Sequence, residues 1–408
     1  MYKTNGVKSA SQIQTLRPVV CFSHLRWDFV YQRPQHLLSR CALGCQVLFI
    51  EEPLYNDADG PSQTLATRDN GVVVATLSMP RNITASDSID TQRKFVDDLL
   101  DQFSIDDFVA WYYTPMALRF TSHLRPAVIV YDCMDELSAF RGAPLELSEM
   151  ERCLFARADI VFTGGASLYA AKRAQHRSVH LFPSSIDASH FAKARNAFET
   201  PDPGDQAPIG KPRIGFFGVL DERLDCELVQ RVAERRRDWQ FIFIGPVVKI
   251  LSDDLPRSEN IHYLGQKSYQ ELPAYIAGWD LAMMPFACNE STQFISPTKT
   301  PEYLAAGKPV VSTPIRDVVC AYGSVGVVQI AKDANEFVKA MDTAMAQRTK
   351  EWLESVDELL VRNSWDITWG RMWTLIEQCA LNTDLAPRKA TGASSSLGQI
   401  GGTACLTI

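Results

Sequence analysis

Short apolar runs recur along the chain, each followed by a polar loop and then a stretch with helical spacing. In the first half the runs are Arg17–Ser23, Gln46–Ile50, Gly71–Thr76, Val109–Tyr113, Ala127–Tyr131, Ile160–Thr163 and His180–Pro183. Most are continuously apolar rather than alternating, the signature of strands covered on both faces in a parallel sheet. Helices are predicted over Pro34–Leu43, Asp90–Phe103, Ser148–Ala158 and from about Leu168. The rhythm breaks at 193–212, where prolines and polar residues mark a linker, and then restarts. Arg213–Gly218, Trp239–Gly245, Asn260–Gly265, Asp280–Pro285, Val310–Val311 and Val327–Ile330 are predicted strands. Glu227–Arg236, Ser268–Ala277 and Ala334–Gln347 are predicted helices, and Ser364–Ile376 a final amphipathic one. Strand and helix alternate throughout, so the expected class is α/β, with two parallel sheets in series and a cleft between them. The expected limits are a disordered arm at 1–16, a first domain at 17–195, a linker at 196–212 and a second domain at 213–363. A helix at 364–380 and a disordered tail at 381–408 complete the chain.

In open parallel sheets ligands bind beyond the carboxyl ends of the strands. The loop after the first strand carries His24, Arg26, Trp27, Gln32, Arg33 and His36, a dense set of side chains for a structural connection. Its alternative is a loop tied down by its own hydrogen bonds. Asp132 and Asp135 are read as lying just past the fifth run. There a carboxylate can act as a general base or cap the next helix. The segment Ser296–Ile315 reads as loop, short helix, turn and buried strand. Thr300 before Pro301 suits an N-cap, and Gly307 followed by Lys308–Pro309 suits a helix stop. Such a helix start, flanked by Ser296, Thr298, Lys299 and Thr300, favours an anion. Glu302 does not help bind phosphate, but a carboxylate accepts hydrogen bonds from the paired hydroxyls of a ribose. Phosphate donors beside a ribose acceptor suggest a nucleoside diphosphate. The alternative is a capped surface helix.

Composition narrows this reading. The chain has 408 residues, 46% hydrophobic and 22% charged, with a net charge of -7. That length exceeds one ordinary core, and the charge argues against nucleic acid as the main partner. The 10 cysteines form no C-x-x-C pair and are expected to be reduced thiols of a cytoplasmic protein. Cys41 and Cys45 are four apart, and His176 and His180 have ligand-like spacing but no Glu between them in the H-E-x-x-H manner and are read as a surface pair, so neither a metal nor a cofactor is expected. Residues 1–16 lack an apolar signal core, and no run is long enough to span a bilayer, which leaves only peripheral membrane contact.

Several stretches taken together resemble the GT-B glycosyltransferases, in particular bacterial family 4-like (group 1) enzymes of surface-polysaccharide synthesis and, among them, teichuronic-acid biosynthesis glycosyltransferases. Phe182-Pro-Ser-Ser-Ile-Asp-Ala-Ser-His-Phe191 is similar to the landmark that closes their first domain. Gly215-Phe-Phe-Gly-Val-Leu220 resembles the opening of their donor domain. Asn260–Gly265, Leu272–Ala277, Asp280–Pro285 and Pro301–Val311 follow in the family's order. The resemblance implies two Rossmann-like domains facing across a cleft, with the last helix crossing back onto the first. It implies a donor site at Gly218, Arg223, Ser296, Thr298, Lys299, Thr300 and Glu302. It places the 24–36 loop, Asp132 and Asp135 on the acceptor side. Two departures stand out. Phe294 occupies the position, eight before Glu302, where the family often has a second glutamate, and no lysine closely follows Arg223. Lys299 is the cation available to replace it.

The segment Val130–Ser138 is similar to one in inverting glucuronosyltransferases, whose second acid is the catalytic base; here that residue is Asp135. The implied reaction is metal-independent transfer from a nucleotide sugar, by default a UDP-sugar, to a glycan or lipid-linked acceptor. Two rivals share these features: a nucleotide-sugar 2-epimerase of the same fold, and a catalytically silent nucleotide-sugar-binding protein.

Overall fold

A computed structural model describes residues 16–196 and 201–385. The arm at 1–15 and the tail beyond Leu385 lie outside the described residues, so the disorder expected there is not addressed. The first sheet is built from β1 (Val19–Ser23), β2 (Val47–Glu51), β3 (Leu54–Asn56), β4 (Ser62–Thr67), β5 (Val73–Pro80), β6 (Val109–Tyr112), β7 (Val128–Cys133), β8 (Ile160–Thr163) and β9 (Val179–Leu181). Its order is β3-β5-β2-β1-β6-β7-β8-β9, with β4 antiparallel on β5. The second sheet contains β10 (Arg213–Phe217), β11 (Gln240–Ile244), β12 (Ile261–Tyr263), β13 (Leu281–Met284), β14 (Val310–Ser312) and β15 (Val328–Ile330). It runs β12-β11-β10-β13-β14-β15, all parallel.

Strand alternation divides the first domain's apolar residues between two faces. On β1, Val20 and Phe22 join one buried cluster, whereas Val19 and Cys21 join the other. The second cluster is closed by the final helix, Trp365–Leu385, which offers Trp365, Met372, Trp373, Ile376 and Ala380 at helical spacing. Trp365 stacks on His36 at 4.6 Å and 10°, and Asp366 accepts from Arg40 at 2.6 Å. The last described helix therefore packs on the first.

Four differences from the sequence reading have physical causes. β7 extends two residues past Tyr131, so Asp132 lies inside the strand rather than beyond it. Pairing with β8 continues through Asp132↔Phe162 and Cys133↔Thr163, and a buried arginine neutralises the carboxylate. β3 and β4 were missed because they are largely exposed, polar edge strands with no apolar run. The helices at Arg316–Val318 and Lys350–Leu360 were also unread. Finally, the described part of the proline-rich linker is tied to the second domain. Arg213 donates to the carbonyls of Ala207 and Ile209 and to Asp202, and Gln206 donates to the carbonyl of Tyr275.

Trp365 is 1% exposed, and truncating it leaves a cavity between the first and last helices. Trp365→Ala is expected to destabilise the first domain by about 3–5 kcal/mol, measured by denaturant unfolding.

Candidate functional site

Both sheets turn their switch points toward one crevice. β1 lies between β2 and β6, and β10 between β11 and β13, so the loops after β1, β10 and β13 converge there. They enclose a cavity of about 750 Å³ lined from both domains.

From the second domain come Gly218, Arg223, Ser296, Thr298, Lys299 and Glu302. Gly218 has φ +139°, and a Cβ there would overlap Lys299 Cε and lie 2.6 Å from its Nζ. The missing side chain is what lets the lysine cross the strand end. The Lys299 ammonium lies 5.9 Å from the Phe216 ring centroid. Burial lowers its proton affinity and Arg223 adds to that, while Glu302, Asp221 and Asp135 oppose it. Asp221 grips Arg223 through Nε, at 3.0 Å to each carboxylate oxygen, and through Nη2 at 2.6 Å. Burial works against the guanidinium's charge, but Asp221, Asp135 and Glu222 outweigh it. Glu302 is 7% exposed, and its Oε2 is buried without a hydrogen-bond partner. Burial raises its proton affinity, and Lys299 partly reverses the effect.

From the first domain come Trp27, Gln32, Arg33 and Asp135. Asp135 keeps part of its surface on the cavity, but the surrounding walls displace water. Burial pushes its carboxyl up to about 6, against the pull of Arg223 and Arg33. Among the described residues there is no cluster of three His, Cys, Asp or Glu able to hold a metal.

Other predicted site residues are occupied elsewhere. Asp132 is fully buried and takes the Arg33 guanidinium on both oxygens, at 2.9–3.1 Å, while Arg33 Nη1 donates to the Phe182 carbonyl at 2.8 Å. Arg33 thus borders the cavity with its charge spent, and Asp132 does not line it. Arg26 turns away, donating to Glu51 and to the Glu52 and Pro53 carbonyls. His36 is sealed under Trp365 and Tyr31. His24 is outside the cavity lining, and burial, with nearby Lys249, lowers its imidazole to about 4, so it is neutral at pH 7. Thr300 is fully buried, its hydroxyl 3.3 Å from Met284 Sδ, and its N–H donates to the Pro297 carbonyl. The helix starts at Lys299, two residues earlier than read, so Thr298 is the cap and Pro301 falls on the third helical residue. There the missing N–H still costs no helical bond. Gly307 ends the helix at φ +69°, with Lys308 N–H on the Tyr303 carbonyl at 3.0 Å.

Sequence reading missed Asp221, Tyr269 and the cross-domain contacts. Gln266 donates to the Phe29 carbonyl, and Asp317 accepts from Ser167 N–H at 2.9 Å and from its hydroxyl. Phe294, in the place of the second glutamate, packs against the first domain's apolar cluster. The Asp-x-Arg spacing of 221 and 223 was the one local signal available; the others depend on partners remote in sequence.

This architecture is the GT-B fold, and residues 211–347 match the family model described as glycosyl transferases group 1. That match falls on the second domain. The chain is 27% identical over 216 residues to TuaH of Bacillus subtilis (strain 168), named as a teichuronic acid biosynthesis glycosyltransferase. That match covers 50% of this chain and 54% of TuaH, so the chain spans about half the length of that curated relative. Sucrose-phosphate synthase from Thermosynechococcus elongatus superposes with a TM-score of 0.67 at 14% identity, over 90% of this chain and 100% of its own. HepE of Anabaena, in complex with UDP and glucose, superposes with a TM-score of 0.60 at 13% identity, over 88% and 99% of the two chains.

Two substitutions separate structural from cavity carboxylates. Asp132→Ala strands a buried guanidinium and is expected to cost about 3–5 kcal/mol, whereas Asp135→Ala should leave the unfolding midpoint near that of the wild type. Gly218→Ala should displace Lys299 and weaken UDP binding by about tenfold or more, measured by calorimetry.

Proposed function

We propose that the protein is a glycosyltransferase that moves a sugar from a nucleoside-diphosphate sugar, in the first instance a UDP-sugar, to a hydroxyl of a glycan or lipid-linked glycan in surface-polysaccharide synthesis. The observation that carries this reading is the meeting of Lys299, Arg223, Glu302 and Asp135 on one cavity between the two domains. Sugar transfer develops negative charge on the departing diphosphate and positive charge on the sugar ring. Arg223, held in place by Asp221, and Lys299 beside it face this space and supply neutralising charge to the diphosphate. Glu302 accepts hydrogen bonds from the ribose. Among the described residues no helix is long and apolar enough to cross a membrane, so contact with a lipid-linked acceptor would be peripheral.

Asp135 stands opposite these cations and is assigned as the base that takes the acceptor's proton. A carboxyl titrating at about 6 is ionised at pH 7, yet more basic than an ordinary aspartate. The protonated form is inactive, so activity is present above that value and lost as pH falls through it. The feature favouring a silent binding protein is Phe294, which takes the sequence position where the resembled family often has a second glutamate and packs on the first domain's apolar cluster instead. Donor binding without transfer across a broad acceptor screen would select that reading.

The first test is a thermal-shift screen against nucleotide sugars, since a ligand bound only by the folded state raises apparent stability. With the responding donor, kcat/KM should show an acid limb near pH 6. Asp135→Asn should reduce transfer by about 10²–10⁴-fold while UDP affinity stays near the wild-type value. Near-normal turnover in that variant removes Asp135 from the mechanism.

A further inference from the structure

The cavity contains an aromatic hydroxyl that the reaction scheme does not use. Tyr269 lines it together with Glu302, and the Tyr269 hydroxyl is buried without a hydrogen-bond partner, as is Glu302 Oε2. A buried polar atom left unpaired is costly, and it persists where a ligand completes it.

The ring cannot swing away to find water. His190 stacks on it at 4.2 Å and 9°, and Tyr31 of the first domain stacks on it at 4.5 Å and 25°. His36 and Phe191 meet it edge-on, each at 5.5 Å. His190 Nε2 also donates to the Tyr269 carbonyl at 2.9 Å, which pins the backbone. The hydroxyl is therefore held in place by contacts from both domains.

We infer that Tyr269 is a specificity-determining residue of the donor site, its hydroxyl and the Glu302 carboxylate together recognising the two vicinal hydroxyls of a nucleotide ribose. This inference rests on the proposed donor function. Burial raises the Glu302 carboxyl to about 8, so near neutral pH it can donate as well as accept, as the Tyr269 phenol can. A vicinal diol satisfies both, one hydroxyl pairing with Glu302 and its neighbour with Tyr269. Burial and the Glu302 charge both raise the phenol's proton affinity, so Tyr269 stays neutral and keeps its donor. Lys299 lies one helical turn before Glu302, on the same face. The order lysine, glutamate, tyrosine thus matches diphosphate, then ribose.

Calorimetry of the full chain with UDP, 2′-deoxy-UDP and 3′-deoxy-UDP tests this. The wild type is expected to prefer UDP over at least one deoxy analogue by about tenfold or more. Tyr269→Phe keeps the ring stack and removes only the hydroxyl. In that variant UDP affinity should fall, and the same preference should shrink to within about twofold. A wild type that binds all three equally overturns the inference without any variant, and so does a Tyr269→Phe protein that keeps the wild-type preferences. A wild type that binds none of the three overturns the donor reading itself, an outcome distinct from either.

Discussion

Opposite charges from two domains share one enclosed space, and the rest of the site depends on that enclosure. Arg223 and Lys299 project from the second domain toward Asp135 of the first, with Asp221 and Glu302 on their own side. Only Arg223 is held by a full ion pair. Burial pushes Lys299 toward neutrality and raises the proton affinity of Asp135 and Glu302, because water has been displaced and protein pairing does not replace it. A ligand bearing both negative charge and hydroxyls would pair with both kinds of group, in keeping with the nucleoside diphosphate proposed above.

The enclosure is made by contacts that a single domain could not form. The Tyr31–Tyr269 stack, the Gln266 bond to the Phe29 carbonyl, the Asp317 bonds to Ser167 and the Phe294 ring all cross between the domains. They mix polar bonds with aromatic contacts, unlike the broad apolar seam by which the final helix joins the first domain. Interfaces of that limited kind separate readily. The arrangement is therefore suited to a crevice that opens for substrate and product while each sheet stays intact.

Much of this was legible in the sequence. Continuous apolar runs marked most of the parallel strands, since a strand covered on both faces needs no polar alternation. The exposed edge strands β3 and β4 gave no such signal. The stop at Gly307 was readable because a left-handed residue followed by Lys308–Pro309 leaves the helix no way to continue. The start was misread by two residues. Thr300 has the chemistry of a cap, but a threonine's hydroxyl also fits a buried place beside Met284, and only packing selects between them.

The alternation of strands and helices, the crevice at the strand ends and the helix start carrying Lys299 and Glu302 followed from local periodicity and loop chemistry, whereas Arg223 was added only by the family resemblance. The roles of Asp132 and Asp135 did not follow from that periodicity or chemistry. They are three residues apart and equally acidic, yet one is neutralised inside β7 and the other faces the cavity. The difference is made by Arg33, 99 positions from Asp132 in the chain, and no local pattern records a partner at that distance. The same holds for His36, sealed by Trp365, and for Tyr269, fixed by Tyr31. Where a polar side chain finds its counter-charge or covering ring is decided by the packing of remote segments, and tertiary structure alone determines that.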